Sequence, residues 1–274
     1  MEKTKVLYIS QEITPYLPES KMSIIGRQLP QGIQEKGKEI RTFMPRYGCI
    51  NERRNQLHEV IRLSGMNLII NDTDHPLIIK VASIQAARMQ VYFIDNEDFF
   101  QRKHILHDAK KKYFEDNDER AIFFARGVLE TIKKLRWSPD VIHCHGWITS
   151  LIPLYVKRAY KDDPMFSDAK IVYSVYNDGF SNVFDPNFSE KLRLEGIRDK
   201  DVDVVKNIPD FVNLSKMAIN LSDAVIVGSE AINSDISSYL NTIEKPVLGF
   251  QAENYIDAYS DFYDKILSET YAEF

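Results

Sequence analysis

Lys5-Val6-Leu7-Tyr8-Ile9-Ser10 is an apolar run rich in aromatic and β-branched residues, entered through charge and left through polar residues. That is the pattern of a buried parallel strand. A loop with Pro15 and Pro18 follows. Helical spacing predicts a helix from Met22 to Lys36 closed by Gly37. Glu39 to Met44 predicts a second strand, ended by Pro45. Strand, loop, helix, glycine and strand make a βαβ unit, whose right-handed crossover sets the two strands parallel.

The same alternation returns in the second half. Strands at Val141–Cys144, Ile171–Val175 and Ala224–Val227 alternate with helices at Thr149–Tyr160, Asp210–Leu221 and Ala231–Leu240. Between the halves, His58–Leu63, Met66–Ile70, Leu77–Ser83 and Met89–Ile94 are short strand-like runs. Gly65, Asn71-Asp72 and Asp74-His75-Pro76 break them, which predicts inserted hairpins. The charged stretch His104–Asp118 predicts a mobile surface excursion, after which Asp118 caps a helix over Glu119–Leu135. In the tail from Ala252 to Tyr271, Ile256, Tyr259, Phe262, Tyr263, Ile266 and Leu267 recur at helical spacing. This predicts a docked amphipathic helix with Phe262, Tyr263, Ile266 and Leu267 buried. The expected fold class is α/β: a Rossmann-like, doubly wound, mainly parallel sheet with inserted β-hairpins. A single domain over residues 1–274 is expected, with 252–272 as its C-terminal packing helix.

Composition bounds the function. The chain has 274 residues, 44% of them hydrophobic, enough for an ordinary core. Its 35 Lys+Arg against 40 Asp+Glu give a net charge of −5, which argues against a general nucleic-acid binder. Two cysteines, Cys49 and Cys144, exclude a disulfide framework and suit a reducing compartment. The N-terminal apolar run is too short for a signal peptide, and no run approaches a membrane span. The expected location is cytoplasmic, with no nucleic-acid or membrane partner.

Three segments can carry chemistry. In Trp137-Ser138-Pro139-Asp140-Val141-Ile142-His143-Cys144-His145-Gly146-Trp147, the two histidines project to one side at a strand's C-terminal end. They are metal ligands lacking a nearby third partner, contacts to a substrate or phosphate at the sheet edge, or core histidines bonded internally. Ser174-Val175-Tyr176-Asn177-Asp178-Gly179-Phe180 ends another strand. It is a turn requiring positive φ at Gly179, or it sets Tyr176 and Asn177 on the rim of the same crevice. The loop from Glu12 to Lys21 has no glycine between Ser10 and Gly26, so it offers no phosphate cradle.

These residues resemble a family. Lys5 to Ser10, Pro15-Tyr16-Leu17, Leu29-Pro30 and Ile40 to Tyr47 are similar to the opening of bacterial glycogen synthase and plant starch synthase. The Trp137–Trp147 segment resembles that family's His-x-His-Asp-Trp strand. Ile171 to Asn177 resembles its next strand, which ends in His-Asn, and Lys216 to Ser229 resembles a later one. The resemblance spans about residues 3–240. It implies the N-terminal half of a GT-B glycosyltransferase, which moves glucose from ADP-glucose to an α-1,4-glucan with retention. It implies no metal and no cofactor. Donor contacts lie mainly on a C-terminal domain beyond the resemblance, and acceptor contacts lie largely on this one.

The departures bear on activity. The family's Lys-Thr-Gly-Gly donor loop aligns with Pro18-Glu19-Ser20-Lys21, Gly146 replaces its acid, and Tyr176 replaces its histidine at the reacting sugar. No catalytic residue is therefore assigned. The expected substrate-binding residues are Glu12, Lys21, His143, His145, Trp147, Tyr176 and Asn177. The expected function is a glycogen/starch synthase-like domain, degenerate or partner-dependent, with a glucan-binding or regulatory role. The alternatives are an active glucosyltransferase completed by a separate donor-binding domain, and a non-catalytic protein-interaction domain. The expected partners are an α-glucan or maltooligosaccharide, that separate donor domain, or a second copy of the chain.

Overall fold

The computed structural model describes residues 3–271. Residues 1–2 and 272–274, including the last residue of the expected packing helix, lie outside the described residues. The described residues form ten strands: β1 (Lys5–Ser10), β2 (Glu39–Pro45), β3 (His58–Glu59), β4 (Met66–Ile70), β5 (Thr73–Ile84), β6 (Met89–Asp95), β7 (Val141–His145), β8 (Lys170–Val175), β9 (Ala224–Val227) and β10 (Val247–Leu248). Their order is β10-β9-β8-β7-β1-β2-β6-β5-β3, with β4 paired to β5. Every pairing from β10 through β6 is parallel. β5 joins β6 antiparallel, and β3 and β4 join β5 antiparallel. The sheet is therefore the expected doubly wound one, with hairpins added at one side. Its winding reverses between β1 and β7, the position at which open α/β sheets bind ligands.

The helices are α1 (Lys21–Glu35), α2 (Glu97–Phe100), α3 (Asn117–Leu135), α4 (Ile152–Leu154), α5 (Phe188–Lys191), α6 (Asp199–Lys206), α7 (Phe211–Leu221), α8 (Ser234–Leu240) and α9 (Tyr255–Tyr271). Side-chain alternation divides them between the faces. Tyr8, His143 and Ser174 stand on adjacent strands and face α9, whose Tyr259 and Tyr263 rings lie 5.9 and 5.6 Å from the His143 ring. Tyr173 faces the other way, toward Ser215 of α7.

Several boundaries differ from the sequence expectation. Asp74-His75-Pro76 do not break a strand but lie inside β5. The break is the two-residue turn Asn71-Asp72, with φ of 49° and 60°, as in a tight hairpin. Only His58 and Glu59 of the expected 58–63 strand pair, because Leu63 turns back to Val60. The expected 149–160 helix is a 3₁₀ turn (Trp147–Thr149), α4 and a π turn (Tyr155–Ala159). Asp118 is not the N-cap: it is buried within the first turn of α3, where Oδ1 accepts from Glu119 N–H at 2.7 Å and Oδ2 meets Lys191 at 2.9 Å. The 104–118 excursion contains a hydrogen-bonded turn, with His107 bridged to Tyr113. Gly179 is not among the residues at positive φ. A Cβ there would lie 3.0 Å from the Phe211 ring, and that close approach accounts for the glycine.

The tail helix docks as its apolar spacing predicts. Tyr259, Phe262, Tyr263 and Ile266 are buried, and Leu267 packs half-buried against the core. Lys38 pairs with Asp264 at 2.8 Å and Lys36 with Asp257 at 2.5 Å at its margins, where such pairs contribute little. The tighter constraint is steric. A Cβ on Gly32 of α1 would lie 2.6 Å from Ile256, so the two helices meet only because position 32 has no side chain. Gly32→Leu is expected to overpack this seam and lower stability by about 1–3 kcal/mol in urea unfolding; a wild-type midpoint in the variant would refute the seam.

Candidate functional site

The crevice between β1 and β7 is built from the turns that leave their C-terminal ends. Gln11 follows β1, donates its amide to the His145 carbonyl at 3.0 Å, and accepts from Ile148 N–H at 3.3 Å through its side-chain oxygen. Gly146 follows β7 at φ 88°, and a Cβ there would lie 2.9 Å from Gln11. The Gln11 side chain thus fills the space opened by the missing Cβ. Asp178, after β8, accepts from Trp147 N–H at 2.7 Å and ties the β7 and β8 turns together. Burial pushes its carboxyl up to about 7, with Glu12 adding to the effect.

On the near side, Ser20 caps α1. Its hydroxyl accepts from Ser23 N–H at 3.0 Å and lies 2.6 Å from the Glu12 carboxylate, to which it donates. The Lys21 ammonium sits 4.1 Å from the centre of the Phe250 ring, on the segment that leads into α9. The end of the helix where an anion would be attracted therefore carries a side-chain cap and a carboxylate.

His143 and His145 are fully buried. Nδ1 of His143 is 2.5 Å from the Tyr263 hydroxyl and Nε2 is 2.7 Å from Ser174 Oγ. Tyr8 donates to Tyr263 at 3.3 Å, and Tyr176 lies 2.8 Å from His145 Nδ1. One donor assignment satisfies these bonds: Tyr8 to Tyr263 to His143 to Ser174, and Tyr176 to His145. Both imidazoles are neutral in this scheme. Burial holds His145 down at about 3 and His143 well below its ordinary value. Nε2 of His145 ends the chain without a protein partner.

The structure thus brings His143, His145 and Tyr176 together, but inside the sheet–α9 layer. Trp147 is also buried, its ring centroid 4.9 Å from Phe180 and 5.7 Å from Phe184, so neither face is open to a sugar. Asn177 is exposed at the rim, held by its N–H to Ser229 Oγ at 3.1 Å. Glu12 is half-buried and Lys21 exposed, both at the mouth of the crevice. Sequence reasoning did not assign Tyr8, Ser174, Gln11 or Tyr263 to this constellation. Side-chain alternation along β1 and β8 signals the first two, whereas nothing local signals Gln11 or Tyr263. Among the described residues, no group of three or more His, Cys, Asp or Glu is placed to hold a metal ion. No helix among them is long and apolar enough to cross a membrane.

The profile of the starch synthase catalytic domain matches residues 5–251. The chain belongs to this family. Glycogen synthase of Chlorobaculum tepidum is 31% identical over 274 residues, covering 96% of this chain and 52% of the relative. That of Chlorobaculum parvum is 34% identical over 236 residues, covering 85% and 47%. The catalytic domain of starch synthase IV from Arabidopsis thaliana, bound to ADP and acarbose, superposes with a TM-score of 0.73 at 19% identity, covering 91% of this chain and 51% of that one. The fold is thus shared with a GT-B-type enzyme domain. This starch synthase-family chain spans about half the length of the relatives it matches.

The two sealed histidines carry a pH signature. Unfolded, each takes up a proton below about pH 6.5; folded, neither does until far lower pH. The stability they contribute is complete above that pH and falls as pH drops, by about 1.4 kcal/mol per pH unit for each histidine. Asp178, whose raised carboxyl keeps its proton in the folded state, acts in the opposite sense. The decisive quantity is therefore a difference: His145→Gln should flatten the dependence of unfolding free energy on pH between 6 and 4.5 by about one proton's worth. Equal slopes for the two chains would mean that His145 is protonated in the fold.

Proposed function

We propose that this starch synthase-family domain serves glycogen or starch metabolism as a glucan-binding or regulatory unit, and does not by itself transfer glucose from ADP-glucose. The observation that carries the reading is the N-terminus of α1. Pro18-Glu19-Ser20-Lys21 stands where the family has its glycine-bearing donor loop. Here Ser20 consumes the Ser23 amide, and the Glu12 carboxylate sits 2.6 Å from the cap. A diphosphate approaching this point would meet a like charge in place of free amides. Oriented charge stabilisation of this kind is usually among the largest contributions to catalysis.

Tyr176 supports the same reading. It takes the place of the family's histidine, but its phenol is buried and engaged with His145, and burial raises its pKa far above neutrality. It neither reaches a reacting sugar nor exchanges a proton near pH 7. Cys49 and Cys144 are both free, which suits action in the cytoplasm.

Isothermal titration of the purified chain with maltoheptaose and, separately, ADP-glucose tests the proposal. The expected outcome is saturable binding of maltoheptaose and none of ADP-glucose. Tight ADP-glucose binding would restore a donor site and overturn the non-catalytic reading. Binding of neither ligand would remove the glucan role and leave a protein-interaction domain.

A further inference from the structure

The chain leaves β10 at Leu248 and enters α9 at Tyr255. β10 is the edge strand, with β9, β8 and β7 between it and β1. Yet Phe250, two residues past β10, already lies against Lys21, the first residue of α1, which follows β1. The strap 249–254 therefore bridges the C-terminal edge of the sheet from β10 to the near wall of the crevice. That wall is where Ser20, one residue before Lys21, donates to Glu12 at 2.6 Å.

Both ends of the strap are fixed. β10 pairs in parallel with β9, and Val225 N–H donates to the Pro246 carbonyl at 3.0 Å. At the other end, Asn254 takes φ 54°, and its carbonyl accepts from Asp257 and Ala258 N–H at 3.1 and 3.2 Å as α9 begins. Tyr255 then bonds Gln28 of α1 at 2.8 Å, and Ile256 seats against Gly32.

The middle is held otherwise. Among the described residues, no backbone hydrogen bond joins 249–253 to the body of the domain. The Gln251 side-chain amide bonds back to the Gly249 carbonyl at 3.0 Å, within the strap itself. A Cβ on Gly249 would meet nothing within 4 Å, and Ala252, Glu253 and Asn254 are exposed. Phe250 is half-buried without belonging to the hydrophobic core. Its fastening is the Lys21 ammonium, 4.1 Å from the ring centre. A solvent-exposed cation–π contact favours the fastened form by about two- to fivefold. A permanently closed segment would instead be paired through its backbone, as β10 is to β9.

We propose that residues 249–254 form a lid over the β1–β7 crevice, latched by Phe250 on Lys21. In the closed form the ring and the ammonium sit at the mouth on the Glu12–Ser20 side. Release of the ring opens the mouth while α9 stays docked. A molecule that enters the crevice binds the open form, so its apparent affinity is lowered by the open fraction. The lid governs access whatever the occupant, and so stands apart from the glucan reading.

Amide hydrogen exchange on the full chain, without ligand, tests the lid. Three amides of the crevice turns report access: Gln11 N–H on the His145 carbonyl, Trp147 N–H on Asp178 and Ile148 N–H on Gln11. Phe250→Ala and Lys21→Met are each expected to speed their exchange by about two- to fivefold. The double variant should exchange no faster than either single one, since the same contact is lost in all three. Lys21→Arg and Phe250→Trp, which keep a cation on a ring, should exchange at the wild-type rate or more slowly. Amides from Tyr259 to Tyr263 in α9 should keep their wild-type rates. Unchanged crevice amides in both single variants would overturn the lid, and additive effects in the double variant would overturn the latch. Equal acceleration in α9 would mean that the helix itself undocks, which would also overturn a separate lid.

Discussion

The hydrogen-bond series from Tyr8 through Tyr263 and His143 to Ser174, with the Tyr176–His145 pair beside it, is the constraint around which this domain is arranged. It contains six side chains from three strands, the β8 turn and one helix, all buried and all neutral. A polar group in such a place is tolerable only while its partner is present, so α9 is more than an apolar cover. Removing Tyr263 from the face would orphan both the His143 nitrogen and the Tyr8 hydroxyl. The apolar neighbours Phe262 and Ile266 supply attraction, and the polar series supplies register. The contact of Gly32 with Ile256 fixes the depth of the helix.

The same constraint decides what the sheet edge can present. Once His143 and His145 are committed to Tyr263 and Tyr176, the β1–β7 crevice retains only groups from its surrounding turns. Gln11 fills its floor, Asp178 ties its far side, and Ser20 with Glu12 occupies its near side. The segment between β10 and α9 crosses the mouth of this crevice through Phe250 on Lys21.

The fold was legible because its signals are local. β1, β4 and β9 were bounded correctly by runs of apolar residues, and the helical spacing of Tyr259, Phe262, Tyr263 and Ile266 identified the buried stripe of α9. The site was less legible because its meaning is not local. Alternation placed His143 and His145 on one side of a strand, but not whether that side faces a ligand or a helix 120 residues away in sequence. Asp118 beside a helix start carries the same sequence signal whether it caps that helix or meets Lys191, 73 residues on. Pro76 suggested a strand break because proline gives no amide, yet the turn chemistry of Asn71-Asp72 lets the hairpin continue through it.

Gly146 shows how the domain has rebuilt its edge rather than only lost a residue. A side chain at this position faces two obstacles: φ is 88°, and a Cβ would lie 2.9 Å from Gln11 and 3.0 Å from the Met22 sulfur. An acid there would have to expel Gln11, whose amide and side-chain oxygen bind the His145 carbonyl and the Ile148 amide. Meanwhile the carboxyl of Asp178, from the turn after the neighbouring strand, already accepts the Trp147 amide. Gln11, Gly146 and Asp178 therefore form one interlocked set. Reverting position 146 alone to the family's acid would break that set before it restored any contact to a sugar, so the departures at this edge are coupled through packing, not independent.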